Sequence, residues 1–251
     1  MIGNLPPARA TTIDEVVAEM EAIARPLRRS DGLGCFTRLY LAVTESVRAA
    51  VSGSTFADPA LLGDLDIRFA NLFFAAADAA ASDPQQLPRA WAPLFEARAR
   101  PGIAPLQFAL AGMNAHINRD LPVALVGWCA HAGLDLGGHT PEHADFERVN
   151  RLLAAVEAHV KAQYLSGWLN ELDRLIHRVH RIDDVVAMWD VAHARDAAWT
   201  NGQALWALRD DEELARQYLN TLDRTVGFAG RGLLIPADSW LGKLRRAVSI
   251  R

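Results

Sequence analysis

Apolar residues recur with helical spacing along nearly the whole chain, and this spacing constrains the fold more than any other feature. In the segment CFTRLYLAVTESVRAAV (35–51), the large apolar side chains fall on one helix face: Phe36, Leu39, Tyr40, Val43 and Val47. No stretch has the sustained alternation of β-branched residues that is typical of strands. The sequence therefore predicts an all-α fold, a multi-helix bundle in a single domain.

Several helix starts carry capping signals. Thr12 and Glu15 have the spacing of a capping box. Asp58 followed by Pro59 is typical of a cap and a first-turn proline, and Thr140 before Pro141 repeats that pattern. We therefore expect helices to begin at these three places.

Turn signals and the absence of a linker define the expected organisation. SDGLG (30–34) is predicted to be a turn, and a long helix is expected to start at Asp183 or Asp184. We find no internal repeat, low-complexity segment or shift in composition. The prediction is an N-terminal tail over residues 1–11 and one helical domain over residues 12–251.

Composition and charge exclude several classes of function. Hydrophobic residues make up 51% of the chain, and the formal net charge is -4, so no basic field favours nucleic acid. No apolar run reaches the about 18 residues that a membrane span needs, and the N-terminus lacks the pattern of a signal peptide. The two cysteines, Cys35 and Cys129, are far apart and form no CxxC pair. We expect a cytoplasmic protein that binds neither nucleic acid nor membrane.

The stretch GMNAHINRDLP (112–122) carries the strongest candidate for chemistry. Helical spacing puts His116 and Asp120 on the same face as the apolar Ala109 and Met113, so both polar groups should point inward. A buried carboxylate needs a compensating partner, and Arg119 is expected to be a poor one because it lies ~100° around the helix. The pair is predicted either to ligate a metal or to act as an acid/base couple.

A structural alternative for the same stretch remains open. Asp120 would cap a new helix that begins at Leu121–Pro122, where proline fits the first turn. His116 would then be a core histidine that donates a hydrogen bond to a backbone carbonyl. This alternative leaves the pair without a chemical role.

The string MNAHINRDLP (113–122) resembles the signature of an uncharacterised domain-of-unknown-function family of bacteria and some fungi. Further segments agree in order, and the resemblance spans roughly residues 30–210. It implies that a set of polar residues and one tryptophan belong together: Asp66, Asn114, His116, Asn118, Asp120, Asp145, Asn150, Arg195, Asp196 and Trp199. His139 and His193 lie outside the matched pattern. The family brings no established activity.

A second candidate stretch, MWDVAHARDAAW (188–199), supplies Arg195 and Asp196. Asp196 lies on a tryptophan-rich helix, and we predict that it points inward and meets His116 and Asp120 in space. His143, beside a helix start, is a further candidate for that site. The predicted metal ligands are His116, Asp120, Asp196 and His143, and the predicted catalytic residues are His116, Asp120, Asp196, Arg195 and Asn114.

Two functions are consistent with these features. The first is an enzyme of secondary metabolism that acts on a small molecule, as a hydrolase dependent on zinc, manganese or iron, or as an acid/base cyclase or lyase. The second is a non-catalytic helical protein that binds an apolar ligand or a protein partner between its Phe- and Trp-rich helices. In the second case the His/Asp pair is a buried structural hydrogen bond.

Overall fold

The structure is a computed structural model that describes residues 7–51, 56–137, 140–150, 153 and 191–236. Every regular element in these ranges is helical, which confirms the all-α prediction. The elements in chain order are α1 (Ile13–Ala24), α2 (Gly32–Val51), α3 (Pro59–Ser82), α4 (Ala92–Ala97), α5 (Pro105–Ala115), a π-helical turn (His116–Asp120), α6 (Leu121–Ala132), α7 (141–150), α8 (Val191–Ala207) and α9 (Glu212–Leu233). The predicted helix start at Asp183 or Asp184 lies outside the described residues.

The predicted caps form. The Thr12 hydroxyl accepts a hydrogen bond from the Glu15 N–H at 3.2 Å, and the Asp58 carboxylate accepts one from the Leu61 N–H at 2.9 Å. The Thr140 hydroxyl likewise accepts the N–H of His143 at the start of α7. These bonds satisfy backbone donors that a helix start leaves without a partner.

The predicted turn at SDGLG (30–34) is partly wrong, because α2 begins inside it at Gly32. The cause is local. The Asp31 carboxylate accepts hydrogen bonds from the N–H groups of Leu33 at 3.0 Å and Gly34 at 3.2 Å, so it caps the helix directly. The two glycines of this stretch therefore belong to the first turn of a helix.

The segment formed by α5, the π-helical turn and α6 (105–132) has its most extensive contacts with four other helices. α5 packs against α2 and α9, and α6 packs against α3 and α8. Residues Leu121 to Cys129 of α6 are all buried, which matches a helix that is apolar on every side. No helix in the described part of the chain is long and apolar enough to cross a membrane.

Candidate functional site

The candidate site is built on the π-helical turn His116–Asp120 between α5 and α6. Leu121 donates its N–H to the carbonyl of His116, five residues back, and Pro122 follows in the first turn of α6. Proline has no N–H to donate, so the backbone hydrogen-bond pattern is interrupted where α6 begins. Such single π-turns occur often at functional sites.

Within this turn, His116 and Asp120 are joined and buried, as the helical spacing predicts. The Nδ1 atom of His116 lies 3.1 Å from Oδ2 of Asp120, and the two residues are 2% and 0% exposed. The Trp91 indole N–H donates to the same oxygen at 2.9 Å. Asp120 makes no side-chain cap to α6, so the capping alternative is wrong.

Arg119 donates from Nη1 to Oδ1 of Asp120 at 2.8 Å, contrary to the prediction that it would be a poor partner. Its long side chain reaches around the turn, so the angular separation of the two residues does not prevent contact. Arg119 Nε also lies 3.6 Å from the Asp223 carboxylate, which accepts the backbone N–H groups of Arg89 and Ala90. We call Trp91, His116, Arg119, Asp120 and Asp223 the dyad cluster.

The hydrogen bonds of the dyad cluster define the protonation of its central pair. Burial alone would raise the pKa of Asp120, but the hydrogen bond from His116 and the charge of Arg119 hold that pKa below its ordinary value. An ionised carboxylate only accepts hydrogen bonds, so Nδ1 of His116 carries the proton. Burial lowers the pKa of His116, and Asp120 offsets this only in part. His116 is therefore a neutral imidazole near pH 7.

The second ring nitrogen of His116, Nε2, is buried and has no hydrogen-bond partner among the described residues. The ring stacks on Phe69, with centroids 3.6 Å apart and planes 6° apart, and lies 4.6 Å from the Tyr40 ring. These aromatic neighbours offer no donor to Nε2 in this arrangement. An unsatisfied buried acceptor costs ~1–3 kcal/mol, so it calls for an explanation beyond stability.

A pocket opens beside His116 and provides about 900 Å³ of space when its open mouth is included. Its walls come chiefly from α2 and α5 and are mostly apolar, with side chains such as Leu39, Val43, Leu110 and Met113. Among the described residues, the titratable side chains that line it are Tyr40, Asp66, His116 and Arg195. The imidazole of the buried pair is thus in the wall of an apolar pocket.

Asp66 and Arg195 form a second polar region of the same pocket, which we call the pocket corner. Arg195 is 6% exposed, lies over the Phe146 ring with its guanidinium carbon 4.0 Å from the centroid, and donates from Nε to the side chain of Asn150. Burial raises the pKa of Asp66 to about 6, against the opposing charge of Arg195. Burial lowers the pKa of Arg195 to about 10, and Asp66 is the largest attraction that opposes this.

Asp196 is exposed, so the prediction that it points inward is wrong. Its carboxylate accepts a hydrogen bond from Asn150 at 3.1 Å. The inward face of α8 carries Val191, Arg195 and Trp199 instead. Asp196 follows Arg195 by one residue and is therefore rotated ~100° towards solvent.

The four predicted metal ligands are not grouped in the way that a metal site requires. His143 lies 3.6 Å from the Glu147 carboxylate, and its ring centroid lies 4.5 Å from that of Trp199. No group of three or more His, Cys, Asp or Glu side chains in the described ranges is arranged to hold a metal ion, and these ranges include all four predicted ligands. Both oxygens of Asp120 already accept hydrogen bonds from protein donors.

Asn114, a predicted catalytic residue, bridges two helices. Its side-chain N–H donates to the Val226 carbonyl of α9 at 2.9 Å, and its oxygen accepts from Asn118 at 3.2 Å. The sequence reasoning did not include Trp91 or Asp223 as partners of the pair. Trp91 is fully buried, and a buried indole N–H needs an acceptor, which is a signal that could have linked it to Asp120.

Fold and site together define a helical bundle with a buried histidine–aspartate pair in the wall of an apolar pocket. The sequence profile of the family of unknown function DUF5995 matches residues 13–236, and the chain belongs to that family. No curated protein and no solved structure matches the chain.

Proposed function

We propose that the protein is an enzyme that removes a proton from a small, largely apolar molecule, with His116 as the general base. The observation that carries this proposal is the buried Nε2 atom, which has no partner among the described residues although its ring lines a pocket. The hydrogen bond of Nδ1 to Asp120 leaves the lone pair on Nε2. A bound molecule would therefore meet an unprotonated imidazole.

The surroundings of His116 suit proton transfer. Nε2 takes the proton of a substrate C–H bond, and Asp120 stabilises the imidazolium that forms. In an elimination the electron pair of that bond becomes a double bond as the leaving group departs with its own bonding electrons; in a ring closure the pair attacks a carbonyl carbon of the same molecule, whose oxygen takes the charge. The imidazolium then returns its proton to the leaving group or to that oxygen. Trp91 and Arg119 hold the carboxylate in place through both of its oxygens. A cyclase or lyase step is the reaction class that needs only this base, and it is the one we propose. The hydrolase with a divalent metal has less support, because Asp120 is engaged by protein donors.

A reporter molecule tests the base without knowledge of the natural substrate. The probe 5-nitrobenzisoxazole is planar and mostly apolar, and a base that removes its C–H proton opens its N–O bond to a coloured phenolate. We expect the protein to open the probe faster than buffer does and His116→Gln to slow this by about 10²-fold, the lower range of general base catalysis. His131→Gln is the control, since His131 is exposed near the end of α6.

The pH profile of the same reaction gives a second measurement. Burial lowers the pKa of His116, so the imidazole stays unprotonated at a lower pH than an ordinary histidine does. The rate should therefore stay constant as the pH falls and should decrease only when the pH drops below the lowered pKa of His116. A parent protein no faster than buffer, or His116→Gln as fast as the parent, would contradict the proposal.

A second candidate, a non-catalytic protein that binds an apolar ligand, is favoured by the mostly apolar walls of the pocket. In that case the pocket would bind the probe, His116→Gln would bind it equally well, and no proton transfer would exceed that of buffer. The rate at which the protein opens the benzisoxazole probe, compared with buffer, therefore distinguishes the two candidates.

A further inference from the structure

The pocket corner has hydrogen-bonding capacity that the described residues do not use. Arg195 donates from Nε to Asn150, but in the described part of the chain its two terminal amino groups donate no hydrogen bond. The Asp66 carboxylate accepts none from these residues either. The two side chains form no direct ion pair, although each shifts the pKa of the other. Both line the same pocket, so both are available to one ligand.

The charges of the described residues that line the pocket balance without a ligand. Burial raises the pKa of Tyr40 and lowers that of His116, so both are neutral near pH 7. The two charged groups that line the pocket are then the Asp66 carboxylate and the Arg195 guanidinium, which have opposite signs. A charged ligand would add an unbalanced charge to an apolar cavity, which is costly.

The chemistry of the two side chains restricts the ligand further. A guanidinium only donates hydrogen bonds, and an ionised carboxylate only accepts them. A ligand group that satisfies both must accept from Arg195 and donate to Asp66 while carrying no net charge. A primary amide and a carbonyl with a neighbouring hydroxyl have this combination.

We propose that the pocket corner is a recognition subsite for an uncharged polar group with one acceptor and one donor, carried by an otherwise apolar molecule. The apolar part lies against the α2 and α5 side chains, and Arg195 and Asp66 bind the polar end. The inference rests on the proposed use of the pocket by a small molecule, but it does not depend on His116 acting as a base. Arg195 and Asp66 set specificity in this proposal.

Three probes with the same eight-carbon chain and different polar ends test the subsite: octanamide, octanoate and octylamine. Calorimetric titration at pH 7.5 should give the lowest Kd for octanamide, by about tenfold over each charged probe. Arg195→Met should weaken octanamide binding by about tenfold, while Arg216→Met, at an exposed position on α9, should leave it unchanged.

The variant Asp66→Asn gives the sharpest outcome. It leaves the charge of Arg195 uncompensated by Asp66, so octanoate should now bind more tightly than octanamide. A thermal unfolding curve for each variant establishes that it is folded before titration. Tightest binding of octanoate or octylamine to the parent, equal binding of octanamide to folded Arg195→Met, or no binding of any probe would overturn the proposal.

His116→Gln separates this proposal from the proposed function. If it retains octanamide binding but loses the proton-transfer activity, both proposals hold. If the parent has no proton-transfer activity and still prefers octanamide, the subsite stands and the base is wrong. If the parent opens the benzisoxazole probe and binds the three chains equally, the base stands and the subsite is wrong.

Discussion

The dyad cluster has a buried carboxylate, and the pocket corner combines the buried Arg195 with the half-buried Asp66; the two regions differ in how their carboxylates are hydrogen-bonded. In the dyad cluster, Asp120 accepts from Trp91, His116 and Arg119. Among the described residues, Asp66 in the pocket corner accepts no hydrogen bond and Arg195 donates only from Nε. In the dyad cluster the carboxylate of Asp120 has both oxygens engaged and holds His116 in one orientation, while Nε2 of His116 and Nε of Arg119 have no partner among the described residues. In the pocket corner the carboxylate itself has no described donor, and in our proposal a ligand supplies it.

The largest expected effect is on the free energy of unfolding, and it tests how much the hydrogen bonds to Asp120 stabilise the dyad cluster. Asp120→Ala removes the acceptor of three donors and leaves Arg119 and Trp91 without their partner, so we expect a loss of ~3–5 kcal/mol in the free energy of unfolding. Urea denaturation measures it. The matched control is Asp196→Ala, whose exposed carboxylate has one bond to Asn150 and should change stability by no more than about 0.5 kcal/mol. Equal effects of the two variants would contradict the role of Asp120 as the acceptor on which the dyad cluster depends.

The second expected effect is also on stability and concerns Phe36, which lies between the two regions. A Cβ added at Gly112 of α5 would lie 2.4 Å from the Phe36 ring, and Phe36 both lines the pocket and contacts the His116 ring. We expect Gly112→Ala to cost ~1–3 kcal/mol through overpacking. Gly63→Ala is the control, because a Cβ there meets nothing within 4 Å. If Gly112→Ala proves as stable as Gly63→Ala, α5 and α2 are less closely packed than described.

The smallest expected effect tests the pocket corner through pH. The folded pKa of Asp66 is about 6, above the ordinary carboxyl value, so the folded state holds its proton more tightly than the unfolded chain does. Its contribution to stability is therefore greatest at low pH and is lost as pH rises from about 4 to about 6. Because Asp66 is partly exposed, we expect this loss to be only about 1–2 kcal/mol.

Asp66→Asn should remove this pH-dependent loss and should be more stable than the parent at pH 7. Asp64→Asn is the control on the same helix, where the carboxylate pairs with Arg68 at 2.8 Å. Urea denaturation at several pH values between 4 and 7 provides the measurement. A parent whose pH dependence matches that of Asp66→Asn would show that Asp66 is solvated like a surface carboxylate.

Much of the local structure was predictable because it depends on residues close together in sequence. The caps at Thr12, Asp58 and Thr140 each bond to an N–H three residues on. The spacing of His116 and Asp120 likewise predicted that they share an inward face, and they do. The profile match to residues 13–236 supports the resemblance to a family of unknown function.

The predictions that failed depended on side-chain reach or on helix rotation. The angular separation of Arg119 and Asp120 around the helix predicts that they do not pair, yet the long side chain of Arg119 reaches Asp120. Asp196 was placed inward, but α8 is rotated so that Arg195 and Trp199 face the interior. Successive helical residues differ by ~100°, so a modest rotation of a helix changes which of two neighbours is buried.

The sequence by itself determined that this protein is helical, where several of its helices begin, and that a histidine and an aspartate share an inward face. These properties follow from backbone hydrogen bonds and periodicity, which act over a few residues. Only the tertiary structure decided that Trp91 and Arg119 complete the bonds of Asp120, and that Asp66 and Arg195 line one pocket. These contacts join residues far apart in the chain, so they depend on how the helices pack and rotate against each other.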